Sequence, residues 1–527
     1  MRPLTRRQAL AASAGVLGAL VMDGCGNNSY VSSASASASG STLETTWGDP
    51  VGDGQLRVLG GERFVYREEL APRAPLGRTL GLLGHLTDAH VMDASSPARV
   101  PFLDRLGPPF QSTFRPQEAL TSHVLAGAVG AMRKLVPDYV IQGGDLIDND
   151  QDNELRVALD VLGGGPVRPG SGPDGYFGVQ NASNPDPFYY RPDVDAPRHP
   201  GLLRAATRPF AARGLAVLWV PVLGDHDVLV AGELVPTELT RSLALGGRGV
   251  WDLPSGLTVP PDLRSLPAGP DGPVAPVVVD QLLAEALRGP TVAVPADAAR
   301  REMDADEVVS RLRRASPSRV ISARDGRLDY VVDVGDRLRL VVLDLARRDG
   351  GSGGLVVAGQ PEWLAAQLGA RDGRLLIVVS HQPLGSSDGG PALLDLLDRS
   401  SSVIATLCGH THRNQIAPRH SPAGGYWQIE TASLVDYPQQ ARALRVVGTA
   451  GGGVAIQTWM LDHISPGSLG RVSRELAYLD AQGGRPRGFA GARLDRNVVL
   501  FCAPRCRALT SRRTGSACAG PRSERWQ

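Results

Sequence analysis

Residues 138–148, DYVIQGGDLID, change character halfway: an apolar run ends at Gln142, and two glycines and two aspartates follow. A short apolar run of this kind reads as a strand, and a polar cluster directly after it sits on the loop at the strand's C-terminal end. The pattern recurs along the chain. LGLLGHL leads to Thr87-Asp88-Ala89-His90, and LAVLWVPVL to Gly224-Asp225-His226-Asp227. RLLIVVS leads to His381-Gln382-Pro383, and SVIATLC to Gly409-His410-Thr411-His412. The strand ends therefore point acids and imidazoles toward one place.

Between these runs lie helical patterns, RPQEALTSHVLAGAVGAMRKL from Arg115 and QPEWLAAQL from Gln360, with apolar residues three and four apart. LDYVVDVGDRLRLVVLD from Leu328 reads as a hairpin around a Gly-Asp turn, and ALRVVGTAGGGVAIQTWML as another. Helices interleaved with strands and hairpins predict an α/β protein, a four-layer αββα sandwich. Two long insertions, near 151–214 and 229–327, interrupt a domain expected over 43–501. The ligand pattern resumes after each, so they are insertions and not separate domains, placed to form a lid or substrate wall.

Lys+Arg 55 against Asp+Glu 54 leaves a formal charge of +1, so no global field draws the chain to nucleic acid or anionic lipid. Capture of an anionic substrate must be local. Lys134 is the only lysine, a compositional bias toward arginine. Five cysteines are too few for a disulfide scaffold at this length.

The opening MRPLTRRQAL pairs Arg6 with Arg7, and the uncharged run from Ala9 to Met22 is too short for a stable membrane anchor. It resembles a twin-arginine export signal, which implies passage through the twin-arginine export machinery. With the linker-like SSASASASGS that follows, residues 1–42 are expected to lie outside the fold. Cys25 could carry a lipid anchor, whereas Ala34-Ser35-Ala36 offers a cleavage site for a soluble secreted form. RLDRNVVLF reads as the last strand, and residues 502–527 as a disordered arginine-rich tail.

Of the 10 histidines, His90, His226, His381, His410 and His412 fall in the strand-end clusters, while His85, His123, His199, His420 and His463 read as structural. Mixed imidazole and carboxylate ligands suit iron, manganese, zinc or cobalt rather than calcium. A carboxylate such as Asp145 can bridge two such ions roughly 3.5–4 Å apart, the spacing that activates a nucleophile and grips a phosphoryl group. The absence of H-E-x-x-H argues against a zinc peptidase.

Taken in order, D-x-H at Asp88, G-D-x-x-D at Asp145, G-x-H-D at Asp225, the strand-end His381 and G-H-x-H at His410 resemble the calcineurin-like metallophosphoesterases, over roughly Leu80 to Leu461. With its long inserts and leader, the chain is more narrowly similar to the twin-arginine-exported actinobacterial members of that family. The resemblance implies an exported, extracellular or envelope-attached enzyme that hydrolyses a phosphomonoester or phosphodiester with two divalent or mixed-valence ions. Asp88, His90, Asp145 and His412 would hold the first ion; Asp145, Asp225, His381 and His410 would hold the second. A hydroxide bridging the ions would attack phosphorus. His226, oriented by Asp148, would serve the leaving oxygen. Asp227 is open between a site role and helix capping. Arg413, Arg191 and Arg198 are candidate phosphate contacts, and Tyr176, Phe177, Tyr189 and Tyr190 could stack a nucleobase.

Two departures from the family pattern matter. Asp225 stands where the family has Asn, and Asp148 where purple acid phosphatases place Tyr, so no iron-tyrosinate colour is expected. Three carboxylates and one hydroxide would neutralise two divalent ions, which weakens attraction for a dianionic monoester or favours a trivalent ion. The alternative from another class is a metal- or phosphate-binding envelope protein whose catalysis has lapsed through Asp225.

Overall fold

The computed structural model describes residues 40–106, 113–252, 276–318, 321–370, 372–465, 467–480 and 488–503. The expected leader, Cys25 and residues 504–527 of the tail lie outside this set.

Two sheets dominate. The larger runs β3 (Val65–Arg67), β19 (Val498–Cys502), β18 (Val454–Asp462), β17 (Gln440–Thr449), β4 (Leu76–Leu86), β5 (Tyr139–Gln142) and β8 (Leu218–Pro221). The smaller runs β11 (Tyr330–Val334), β12 (Leu338–Val342), β13 (Leu375–Val379), β14 (Val403–Cys408), β16 (Tyr426–Glu430) and β15 (Gln415–Arg419). Three two-stranded ribbons flank them: β1 (Thr45–Gly48) with β2 (Arg57–Gly60), β6 (Gly165–Val167) with β7 (Phe210–Ala212), and β9 (Arg248–Val250) with β10 (Thr291–Ala293).

The layers follow from side-chain alternation along β4. A Cβ at Gly81 would meet Leu338 and Val334 of the smaller sheet, whereas one at Gly84 would meet Met132 of the helix Thr121–Leu135. One face of the larger sheet thus packs on its partner sheet and the other on helix. The smaller sheet buries its outer face, Val341, Leu376 and Val378, under the helices Gln360–Gly369 and Gly390–Asp398. This is the αββα sandwich. Strands β13 and β14 are apolar at nearly every position because both of their faces are covered. The Trp427 indole donates to the Phe501 carbonyl at 3.1 Å and ties the two sheets across the core.

Strands β4, β5 and β8 are parallel, as are β12, β13 and β14. Each ligand-bearing cluster therefore leaves its sheet at the C-terminal edge.

The boundaries differ from expectation. Residues Asp152–Gly163, assigned to the first insertion, form a helix whose Leu155, Ala158, Val161 and Leu162 join the main core. The insertion proper starts after it. Val308, Val309 and Leu312 of the helix Ala305–Ala315 likewise join the core from the second insertion. Ser41 and Thr42, assigned to the linker, are buried, with the Thr42 hydroxyl on Asn497 at 2.9 Å. Cys502, assigned to the tail, is buried as the last residue of β19. The helix expected from Arg115 begins at Thr121, after a single 3-10 turn over Glu118–Leu120. Among the described residues, no helix is long and apolar enough to cross a membrane.

Candidate metal centre

Two four-residue groups converge between the sheet edges. Ligand atoms of Asp88, His90, Asp145 and His412 lie within 4.8 Å of one another, as do those of Asp145, Asp225, His381 and His410. Asp145 belongs to both. Its Oδ2 lies 3.0 Å from His381 Nε2 and 3.7 Å from His90 Nε2, between the groups. Its Oδ1 accepts the His226 backbone N–H at 3.0 Å, which fixes the carboxylate plane.

The loops that deliver these side chains are strained. Asp88, His90, Asp145, His410 and His412 all have left-handed backbones, with φ of 53°, 42°, 47°, 66° and 54°. Such conformations cost about 1–3 kcal/mol each outside glycine and cluster where surrounding structure over-determines them. Here the surroundings are hydrogen bonds between loops: Asp88 N–H to the Gly144 carbonyl, His90 N–H to the Asp145 carbonyl, and His410 N–H to Asp88 Oδ1, each at 3.0 Å. Glycines allow the close approach. Gly144 has φ 96°, and a Cβ there would lie 2.6 Å from His381 Cγ.

Three of the four ligand imidazoles are set by the acceptor on the far nitrogen, while His410 turns Nδ1 toward Asp225. His381 Nδ1 donates to the Gly143 carbonyl at 2.8 Å, His90 Nδ1 to Asp148 Oδ1 at 3.0 Å, and His412 Nδ1 to Asp436 Oδ2 at 2.6 Å. With Nδ1 protonated in the neutral ring, the Nε2 lone pair of all three aims into the cluster. His90 Nε2 and His412 Nε2 then face each other at 3.2 Å. Two lone pairs at that distance repel unless a proton or a cation lies between them. Buried His381 Nε2 lies 3.0 Å from Asp145 Oδ2 and 3.3 Å from Asp225 Oδ1, aligned for a hydrogen bond with neither. Geometry and donor chemistry both fit transition-metal ions.

Electrostatics point the same way. Burial opposes ionisation of Asp88 and Asp225, yet the imidazoles outweigh it: His412 and His381 hold Asp88 well below the usual carboxylate range, and His410 does so for Asp225. Against burial, Asp88 and Asp436 push His412 up to about 9, and Asp145 and Asp88 raise His381. His90 moves the other way, to about 4, through burial and its neighbour His226. The cluster demands positive charge, which protons or metal cations can supply.

The remaining expected site residues fall differently. His226 is buried at the site; its Nδ1 donates to the Asp148 backbone carbonyl at 2.7 Å. The Asp148 carboxylate, expected to orient His226, instead orients His90 and lies 3.8 Å from His226 Nδ1. Asp227 caps no helix. It accepts from Leu146 N–H and Gly224 N–H, both at 2.9 Å, and so ties the Asp145 and Asp225 loops together. Burial and the Asp145 charge push it up to about 7.

The arginines contribute less than expected. Arg191 binds Asp195 through Nε and NH2 and the Asn184 carbonyl through NH1, so its fork is satisfied inside the insertion. Arg198 is exposed, with Nε on the Val194 carbonyl. Arg413 is exposed beside His412 and lies over the Phe489 ring at 5.9 Å. Of the candidate stacking aromatics, Tyr189 is fully buried against Phe114 and Phe188.

Several functional neighbours carry no local sequence signal. Gln382 donates to Asp225 Oδ1 at 3.0 Å, and Asp436 holds His412. Gly232, at φ 72°, lies so close that a Cβ would sit 2.5 Å from His226 Nε2 and 2.7 Å from Asp225 Oδ2. Gly232→Ala is expected to displace both the His226 ring and the Asp225 carboxylate, lowering any turnover about 100-fold, the scale of a 1 Å misplacement, and weakening metal binding at the second ligand group. Steady-state kinetics beside metal analysis checks this; unchanged turnover would show that the ring position is immaterial.

No protein-family model and no curated protein matches the chain. Among solved structures it is similar to a dimetal phosphatase from Danio rerio (TM-score 0.34, 13% identity, covering 73% of this chain and 100% of that one). It is also similar to the sulfate thiohydrolase SoxB of Thermus thermophilus in complex with glycerol (TM-score 0.28, 12% identity, 77% and 60% coverage). Both likenesses are too distant to decide function.

Proposed function

We propose that this chain is a dinuclear metal-dependent phosphoesterase of the calcineurin-like type, acting on a phosphomonoester or phosphodiester outside the cytoplasm. The observation that carries the proposal is Asp145 Oδ2, held between two four-ligand groups that share no other residue. Two bound ions would supply Lewis acidity, which activates water near neutral pH and neutralises charge on the phosphoryl oxygens. The chain's own residues do the rest. The carbonyls and carboxylates behind His381, His90 and His412 keep their Nε2 atoms aimed inward before any ion arrives. His226, fixed through Nδ1, presents Nε2 for a hydrogen bond or a proton to the departing oxygen. Arg6-Arg7 and the apolar run after them support export.

Asp225 bears on the substrate. Its Oδ1 meets His381 Nε2 and His410 Nδ1, each at 3.3 Å, so its charge belongs to the second ligand group. We expect purified protein to hold two transition-metal ions and to prefer a chromogenic diester over the matching monoester. Asp225→Asn is expected to shift that ratio toward the monoester by about tenfold, the effect of roughly 1.4 kcal/mol in charge balance. Two ions with no turnover of either ester would favour a metal-binding envelope protein. An unchanged ratio and metal content in Asp225→Asn would remove Asp225 from substrate choice.

A further inference from the structure

Two imidazoles of the first ligand group close a ring with the polar side chains behind them. His90 Nδ1 donates to Asp148 Oδ1 at 3.0 Å, and His412 Nδ1 to Asp436 Oδ2 at 2.6 Å. Between these carboxylates stands Arg115, fully buried, with Nε donating to Asp436 Oδ1 at 2.9 Å and NH1 at 3.8 Å from Asp148 Oδ1. The ring closes where His90 Nε2 and His412 Nε2 meet at 3.2 Å. One guanidinium thus hydrogen-bonds Asp436 and stands in ion-pair reach of Asp148, whose other oxygen faces Arg99 Nε at 3.5 Å.

The anchorage is built rather than incidental. The turn carrying Arg115 is fixed by Glu118, which accepts the Arg115 backbone N–H at 3.3 Å and pairs with Arg99 at 2.7 Å. Gln117 of the same turn donates to the Val435 carbonyl at 3.0 Å, beside Asp436. The Val435 N–H in turn donates to the carbonyl of Asp88 at 3.1 Å, and Asp436 N–H to the Ser433 hydroxyl at 3.0 Å. The Arg115 turn, the Asp436 turn and the Asp88 loop are stitched into one unit.

We propose that Arg115 is a positioning residue for the first metal site: by joining Asp148 and Asp436 it fixes the separation and aim of His90 and His412. This rests on the dinuclear reading above. A planar fork can serve two carboxylates on separate loops in a fixed geometry, which a lysine ammonium on a flexible stem cannot. Outer partners of ligating histidines typically change metal affinity by about 10–100-fold.

The test is metal binding itself. Wild type, Arg115→Met, Arg115→Lys and Asp436→Asn would be titrated with Co2+, reading stoichiometry, affinity and the visible ligand-field spectrum, with circular dichroism for the fold. We expect wild type to bind two ions. Arg115→Met and Asp436→Asn should each weaken one of them about 10–100-fold and alter its spectrum, leaving the other unchanged. Arg115→Lys should lie between. The Arg115→Met/Asp436→Asn double variant should lose less than the sum of the two single losses, because the Arg115–Asp436 bond is common to both. Should Arg115→Met fail to fold, Arg115→Lys carries the test, because Asp436 touches His412 directly and its loss would weaken the site whatever Arg115 does. Two ions bound with wild-type affinity and spectrum in a folded variant would overturn the inference while leaving the dinuclear reading intact. A wild type that binds no Co2+ would overturn both.

Discussion

Asp145→Ala is expected to empty both metal positions and abolish hydrolysis, because this carboxylate alone belongs to both ligand groups. Loss of an outer partner costs about 10–100-fold in metal affinity, and loss of a shared direct ligand should exceed the upper end of that range at each position. The Asn variant should be no milder. The His226 backbone N–H donates to Oδ1, so the amide oxygen of Asn must stay there and its NH2 must take the place of Oδ2, facing His381 and His90. A donor would then point at the cations. Elemental analysis beside turnover measures this, and two ions retained by Asp145→Asn would show that the carboxylate does not bridge.

The second large effect is expected at His226. With Nδ1 committed to the Asp148 carbonyl, only Nε2 can serve a substrate, and a positioned acid or base contributes about 10²–10⁴-fold. His226→Ala should lower turnover by that factor with both ions retained. The loss should depend on the leaving group. A nitrophenolate departs without a proton and should lose least, whereas an alkoxide needs one and should lose most. Equal losses across leaving groups would assign His226 to structure.

The candidate centre was legible in the sequence because each ligand follows an apolar strand within a few residues, so local pattern and chemistry coincide. DYVIQ before Gly143-Gly144-Asp145 and SVIATLC before Gly409-His410-Thr411-His412 are the clearest cases. The paired hairpins β11–β12 and β17–β18 were legible for a similar reason: apolar strands around glycine-bearing turns. What escaped is nonlocal. Arg115 and Asp436 meet across 321 residues, and neither stands in a motif. The family resemblance pairs Asp148 with His226, whereas the fold turns its carboxylate to His90 and leaves its backbone carbonyl for His226. The helix Asp152–Gly163 has helical spacing at Leu155, Ala158 and Leu162, but the glycine run directly after it gave the whole stretch the look of a loop.

The division of ligands between the sheets has a consequence for the order of events during synthesis. Asp88, His90, Asp145 and Asp225 follow strands of the larger sheet, while His381, His410 and His412 follow strands of the smaller one. His410 N–H must reach Asp88 Oδ1 across 322 residues. A ribosome that has delivered only the first half of the chain has therefore made the acids of the centre but just one of its four ligand imidazoles. Neither four-residue group can close until the smaller sheet docks, so metal capture comes late and reports on completed assembly of the two sheets.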